Sequence, residues 1–197
     1  MVVDKPAGLL SVPGRGDDKQ DCAAARVRQA FPDALVVHRL DMATSGLFLM
    51  ARGRNAQRAL SVAFAGREVG KRYEALVAGI VAGDEGSIDL PLIADWPNRP
   101  RQVVDMESGK PSRTHWRVLS RDAAAQLTRV ELEPVTGRSH QLRVHLQAIG
   151  HPILGDGLYA PAAVQERAQR LMLHATRLAF AHPATREPMS FHSPAPF

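Results

Sequence analysis

The sequence predicts an α+β fold: a mixed, mainly antiparallel β-sheet with flanking short helices. Three observations carry this. Apolar and polar residues alternate with period two in several segments, which gives strands with one wet face. Helical patterns are few and short. The strand-like runs follow one another at hairpin-like spacings rather than in regular βαβ alternation. The 197 residues are 45% hydrophobic, with no linker, low-complexity tract or repeat, so the expectation is a single domain spanning residues 1–197.

Along the chain, Asp21 is placed to cap a helix through CAAARVRQAF, which Pro32 ends. Val36–Val37 and residues 46–51 read as strands on either side of a polar loop from His38 to Ser45. Asn55 opens a second helix that runs through Phe64. Lys71-Arg72-Tyr73-Glu74-Ala75-Leu76-Val77 starts a further strand. Thr114, Trp116 and Val118 alternate with charged or polar neighbours, as do Val130 and Leu132. Gly137 introduces Ser139 as a cap for the helix HQLRVHLQAI, which stops at Gly150. Residues 173–181 and 189–191 close the chain as strands.

Composition excludes several classes. The lone Cys22 allows no internal disulfide and no cysteine-based metal site. No apolar run approaches the ~20 residues of a membrane span, and the N-terminus lacks the apolar core of a signal peptide. A cytoplasmic protein is expected, with no membrane partner. His140, His145 and His151 do not form a metal pair. Positions five apart on a helix lie about 140° apart, and His151 falls beyond Gly150. No phosphate-binding glycine motif supports a nucleotide cofactor, and no metal is expected. The formal net charge is +5, and the stretch 52–72 supplies it, with Arg52, Arg54, Arg58, Arg67, Lys71 and Arg72 against Glu68 alone. Such a local excess fits phosphate neutralisation, and equally a solvated helix face.

Two polar clusters stand in apolar surroundings. In His38-Arg39-Leu40-Asp41-Met42-Ala43-Thr44-Ser45-Gly46, Asp41 is the only carboxylate. It suits a nucleophile or general base, or a turn cap paired with Arg39. In the second, residues 134–146, Gly137, Arg138 and Ser139 offer an anion site at a helix start. Arg143 shares a helix face with Gln147, and Gln141 shares one with His145. Arg143 is a candidate cation for a carboxylate elsewhere; the alternative is an amphipathic helix whose polar face meets water. Tyr73 beside Lys71 and Arg72 is the aromatic-plus-basic pairing that stacks on a nucleotide, or a strand tyrosine at the edge of a core.

HRLDMATSG, KRYEALV and PVTGRSHQLRVHL, in this order, resemble the RluA family of RNA pseudouridine synthases. The likeness continues through LLSVPGR, DLPLIADWPNRPRQ, SGKP, GHPILGD and LHA, so it covers the whole chain, and HRLDMATSG with DWPNRP is similar to the A-type subgroup. The resemblance implies the pseudouridine synthase catalytic fold without an added S4-like domain. VVDKP matches a family strand that usually begins several residues earlier. Asp41 would be the catalytic aspartate, with the bond from ribose C1′ to uracil N1 broken and remade to C5. Attack on C1′, addition to C6 and removal of a ribose proton remain open as its first step. Tyr73 matches the tyrosine that packs on the target uracil, Arg143 the arginine paired with the aspartate, and Arg39 the residue that enters the RNA stack where the base leaves it. No cofactor is implied. The implied partner is a stem-loop of 23S rRNA, of the tRNA anticodon arm, or of both, bound by a monomer, with the basic stretch and Arg99, Arg101 and Arg138 on phosphates.

Two rivals remain in view. A binding-only protein would have lost Asp41, Tyr73 or Arg143, and all three are present. A glycoside or nucleoside hydrolase usually needs two carboxylates, whereas the loop offers Asp41 alone, with Asp33 and Glu74 outside it.

Overall fold

A computed structural model describes residues 1–197. In chain order the elements are β1 (Val2–Lys5), α1 (Ala23–Ala30), β2 (Ala34–Val36), β3 (Ser45–Arg52), α2 (Gly53–Ala65), β4 (Gly70–Ala78), β5 (Glu85–Asp89), β6 (Leu92–Ala94) and β7 (Gln102–Val104). They continue with β8 (Arg113–Asp122), β9 (Leu127–Pro134), α3 (Gln141–Ala148), α4 (Ala162–Gln165), β10 (Leu173–Ala181) and β11 (Pro188–His192). The chain divides into two compact units, Met1–Lys71 with His174–Pro196, and Arg72–Leu173 with Phe197. No linker separates them in sequence: the divisions fall inside β4 and β10.

In the first unit β3 is central. It pairs antiparallel with β1 (Val2 opposite Leu49) and β2 (Val36 opposite Met50), and parallel with β10 (Ala175 opposite Gly46). β11 adds antiparallel to β10. All of β3 except Arg52 is buried, which explains its unbroken apolar run. Leu47, Leu49 and Ala51 pack with Leu60 of α2, Val69, and Leu178 and Phe180 of β10. Gly46 is required where β3 meets β10. Its φ is +108°, and a Cβ there would lie 2.4 Å from the Ala175 carbonyl oxygen.

The second unit carries an antiparallel sheet in the order β4, β9, β8, β5, with Tyr73 opposite Leu132 and Trp116 opposite both Leu132 and Gly86. A separate hairpin pairs β6 with β7. Leu92 of β6 and Val144 of α3 pack with Tyr159. The expected α+β class and mainly antiparallel pairing are therefore observed.

Two local expectations are corrected. Asp21 does not cap α1. Cys22 occupies the N-cap and its sulfur accepts the Ala25 N–H at 3.3 Å, while Asp21 is held by the Arg26 guanidinium at 2.7 and 2.8 Å. Ser139 does not cap α3. His140 takes the N-cap in a left-handed conformation (φ 54°) without a side-chain cap, and Gln141 folds back instead, its Oε1 accepting the Arg138 N–H at 3.0 Å. The alternative reading of α3, a polar face that meets water, fails for Gln141, Arg143 and His145: Gln141 to Leu146 are all buried, and only Gln147 and Ala148 are exposed.

Candidate active site

The loop between β2 and β3 owes its shape to the segment after β1. Ser11 donates its hydroxyl to the Leu40 carbonyl at 2.7 Å and accepts the Leu40 N–H at 3.0 Å. Gly8 N–H and the Lys5 ammonium both bond the Met42 carbonyl, at 2.9 and 3.1 Å. Thr44 N–H closes the turn on the Asp41 carbonyl at 3.1 Å. The backbone is thus tied down on both sides of Asp41, through Leu40 and Met42, while Asp41 is half-buried, and Arg39 and Met42 are exposed. Arg39 and Asp41 are presented together from a rigid base.

Sequence reasoning passed over Lys5, which is 1% exposed. Its ammonium also donates to the carbonyls of Pro6 (2.9 Å) and Leu9 (2.7 Å), so all three of its protons are used. Burial pushes its pKa down to about 8, opposed by the negative charge of Asp41. The VVDKP segment holds the signal: a lysine at a strand end before proline, with no carboxylate spaced to pair with it.

His38 fastens the other end of the loop. Its Nε2 accepts the Leu49 N–H at 2.8 Å, and its ring stacks on Phe64 (centroids 4.7 Å apart) and tilts against Phe48 at 5.3 Å. Only a neutral imidazole can accept there. Desolvation of the enclosed ring, helped by the charge of Lys71, lowers its pKa from 6.5 to about 3. Between those values the unfolded chain binds a proton that the native state refuses, so this contribution is present above pH 6.5 and lost as pH falls toward 3. The stability difference between wild type and His38→Gln is expected to shrink in that window by up to about 1.4 kcal/mol per pH unit. Urea unfolding of both proteins above and below pH 6.5 measures it; a pH-independent difference contradicts the assignment.

Past the loop, Ser45 joins a buried polar chain. Its hydroxyl meets His174 Nδ1 at 2.8 Å, His174 Nε2 meets Ser193 Oγ at 3.1 Å, and Ser193 donates to Asp4. Because the Ser193 proton goes to the carboxylate, His174 must donate through Nε2, and Ser45 donates to Nδ1. The sequence hinted at this only through the serine of TSG and the histidine of LHA.

In the second unit, the motif on α3 resolves into separate jobs. Gln141 Nε2 donates to the Arg113 carbonyl (2.9 Å) and Thr114 Oγ1 (3.0 Å). His145 bonds Thr114 Oγ1 through Nδ1 at 2.9 Å and the Leu90 carbonyl through Nε2 at 3.0 Å. A carbonyl only accepts, so Nε2 carries the proton. Burial lowers the His145 pKa against the pull of that carbonyl and of Asp89. The shared face expected for Gln141 and His145 is used to grip Thr114 of β8. Arg143 reaches Asp156 instead, Nε to Oδ2 at 2.8 Å and Nη2 to Oδ1 at 2.6 Å, with side chains 5% and 0% exposed. Asp156 Oδ1 also accepts the N–H groups of Leu158 (2.9 Å) and Tyr159 (3.2 Å). Sequence reasoning missed Asp156, although GHPILGD marks it. Gly155 before it has φ +70°, and a Cβ there would meet the Arg170 carbonyl oxygen at 1.9 Å. Tyr73 is half-buried on β4.

The remaining candidates divide. Asp33 pairs with Arg52 at 2.8 Å and Glu74 with Arg129 at 3.0 Å, so both rival carboxylates have cations. Arg72 bonds Glu131 and Glu133 at 3.3 and 3.4 Å. Burial and the charge of Arg67 lower the Lys71 pKa. The excess charge of residues 52–72 is therefore partly neutralised, and Arg54, Arg58 and Arg67 are exposed cations outside these ion pairs. His140, His145 and His151 bond Tyr159, Thr114 and the Ala78 carbonyl respectively, and no group of three or more His, Cys, Asp or Glu is placed to hold a metal. No helix is long and apolar enough to cross a membrane.

The family model for RNA pseudouridylate synthase matches residues 1–148. The chain belongs to the RNA pseudouridylate synthase family. Members isomerise uridine in RNA to pseudouridine, and this chain is such an isomerase. It is 54% identical over 197 residues to the dual-specificity RNA pseudouridine synthase RluA of Yersinia pestis, covering all of this chain and 95% of that one. The RluA protein of Escherichia coli K12 is 51% identical over the same residues, with 90% of its length covered. Among solved structures, human RNA Pseudouridylate Synthase Domain Containing 1 superposes with a TM-score of 0.82 at 31% identity, over 100% of this chain and 80% of that chain. Human RNA Pseudouridylate Synthase Domain Containing 4 gives 0.77 at 25% identity, over 99% and 85%. The family resemblance read from the motifs is thus established. In this synthase the network of Lys5, Ser11 and His38 fixes the loop that carries the single carboxylate of HRLD.

Proposed function

We propose that Asp41 is the catalytic carboxylate of a dual-specificity synthase acting on a uridine in the tRNA anticodon loop and one in a 23S rRNA stem-loop. The observation that carries the assignment of Asp41 is its place in a loop clamped on both sides of it, through Leu40 and Met42, while its own carboxylate stands at a half-buried position. Reaction geometry must be held to a fraction of an ångström, and a loop fastened through its backbone holds the carboxylate in a fixed place.

The proposed roles follow the matched motifs. Asp41 drives cleavage of the N1–C1′ bond; the freed uracil turns and bonds C1′ through C5. The C5 proton is then lost and N1 gains one, so the product is an isomer and no cofactor is consumed. Tyr73 packs on the uracil and serves the late proton transfer. Arg143 supplies the cation that orients the carboxylate. Arg39, exposed beside Asp41, fills the stack vacated by the flipped nucleotide, and a loop uridine costs least to extrude. Arg54, Arg58, Arg67, Arg99, Arg101 and Arg138 hold phosphates and give affinity without sequence choice. The protein works as a cytoplasmic monomer, its two compact units serving as one catalytic domain.

The dual specificity is supported by the 54% and 51% identity to proteins named for it. Transcripts of an anticodon stem-loop and of an rRNA stem-loop of similar loop sequence, each carrying tritium at uridine C5, test it. Release of tritium from both is expected. Release from one alone assigns a single RNA class and contradicts the dual reading.

A further inference from the structure

The tip of the β6–β7 hairpin carries a feature that the proposed chemistry does not use. Trp96 is 64% exposed, an unusual state for the largest apolar side chain, and the Arg99 guanidinium lies 3.3 Å from the centre of its ring. The tip is well braced. Asp95 N–H bonds the Arg101 carbonyl at 2.9 Å, Arg101 N–H the Asn98 carbonyl at 3.1 Å, and Asn98 Nδ2 the Asp95 carboxylate at 3.0 Å. The hairpin itself is moored to the core of its unit, where Tyr159 OH accepts the Gln102 N–H at 2.8 Å and Arg101 lies over the Tyr159 ring at 5.5 Å. With Arg99 on one side of the indole, the exposed surface is its other face and edge, presented on a fixed support that also carries Arg101.

We infer that Trp96, backed by Arg99, is a stacking platform for a nucleobase of the substrate RNA other than the target uridine, with Arg99 and Arg101 drawing in the adjoining phosphates. This rests on the reading of the protein as an enzyme of RNA. An aromatic face is attractive to any base, a guanidinium stacked on the opposite face holds the indole by cation–π attraction, and positive charge nearby favours a polyanion over an apolar protein surface. A base held there anchors the stem-loop away from the reacting uridine, so the platform acts on binding and not on the chemical step.

The test uses the full chain and a stem-loop transcript that the wild type converts to pseudouridine. Trp96→Ala is expected to raise the Kd for this RNA by at least about fivefold and to raise KM similarly, with kcat unchanged; Trp96→Phe, which keeps a ring, retains most of the affinity. Indole fluorescence of the wild type is expected to be quenched on titration with the RNA, and that quench to vanish in Trp96→Phe. Because Trp96 is exposed, the variants should melt with the wild type by circular dichroism. Unchanged Kd and quench in the variants overturn the platform. So does self-association of the wild type that Trp96→Ala abolishes while RNA affinity stays the same, which would make the tip a contact between copies of this chain. If the wild type converts no RNA yet its binding depends on Trp96, the platform stands and the assignment of the reaction fails.

Discussion

Asp41→Asn is expected to bind a stem-loop substrate with near wild-type affinity and to release essentially no tritium from uridine C5, a loss of at least 10²–10⁴-fold of the order that removal of a positioned acid–base group causes. The amide is isosteric with the carboxylate and leaves in place the bonds that shape the loop, from Ser11 to Leu40, from Lys5 and Gly8 to Met42, and from Thr44 to the Asp41 carbonyl. Stability should therefore change little, apart from lost attraction to the buried Lys5 ammonium, whose pKa should settle below about 8 once the opposing negative charge is gone. Single-turnover tritium release with enzyme in excess over RNA separates the two effects. A variant that turns over like the wild type removes Asp41 from the chemistry, and one that fails to bind makes it a binding residue.

Arg143→Leu is expected to be both inactive and unstable, for different reasons. Removing the guanidinium leaves the Asp156 carboxylate, fully buried, with only the Leu158 and Tyr159 N–H groups. Breaking a buried pair in this way costs about 3–5 kcal/mol, because the remaining charge is uncompensated. The double variant Arg143→Leu with Asp156→Asn relieves that penalty and should regain much of the stability measured by urea unfolding. Activity should stay lost in the double variant, since the role proposed for Arg143 concerns Asp41 and Asp156 only holds the guanidinium in place. If activity returns together with stability, Arg143 is structural and the proposed role falls.

Much of this was legible in the sequence, and the rest was hidden for identifiable reasons. Period-two alternation found β8 and β9, and the buried run 46–51 found β3, because those patterns record which face meets water. The start of α3 was misplaced because Ser139 has a good capping side chain, whereas the helix is begun by a left-handed histidine and a glutamine that folds back. Local propensity cannot report that kind of exchange. The helix also looked amphipathic because Gln141, Arg143 and His145 are polar; each has a buried partner, Thr114 or Asp156, lying 13 or more residues away in sequence. Lys5, Ser11 and Asp156 escaped notice for the same reason. Their bonds go to backbone carbonyls and amides, or to a residue on another element, and no spacing rule encodes such pairs. The charge count over residues 52–72 overstated the free cations because Asp33, Glu131 and Glu133 neutralise Arg52 and Arg72 from other parts of the chain. Asp41, Tyr73 and Arg143 stood out by residue type and surroundings, each with a structural alternative, and only the motifs in order gave them and Arg39 distinct roles.

Product analysis decides whether this chain isomerises uridine in RNA through Asp41. Purified protein is incubated with RNA from cells lacking their own A-type enzyme, and the RNA is mapped by carbodiimide labelling and primer extension while the supernatant is assayed for free uracil. A stop at one or more loop uridines is expected, with RNA of unchanged mass, no free uracil, and no stop with Asp41→Asn. Free uracil with abasic RNA would contradict it and make the protein a hydrolase, and a stop that persists in Asp41→Asn would place the chemistry on another residue.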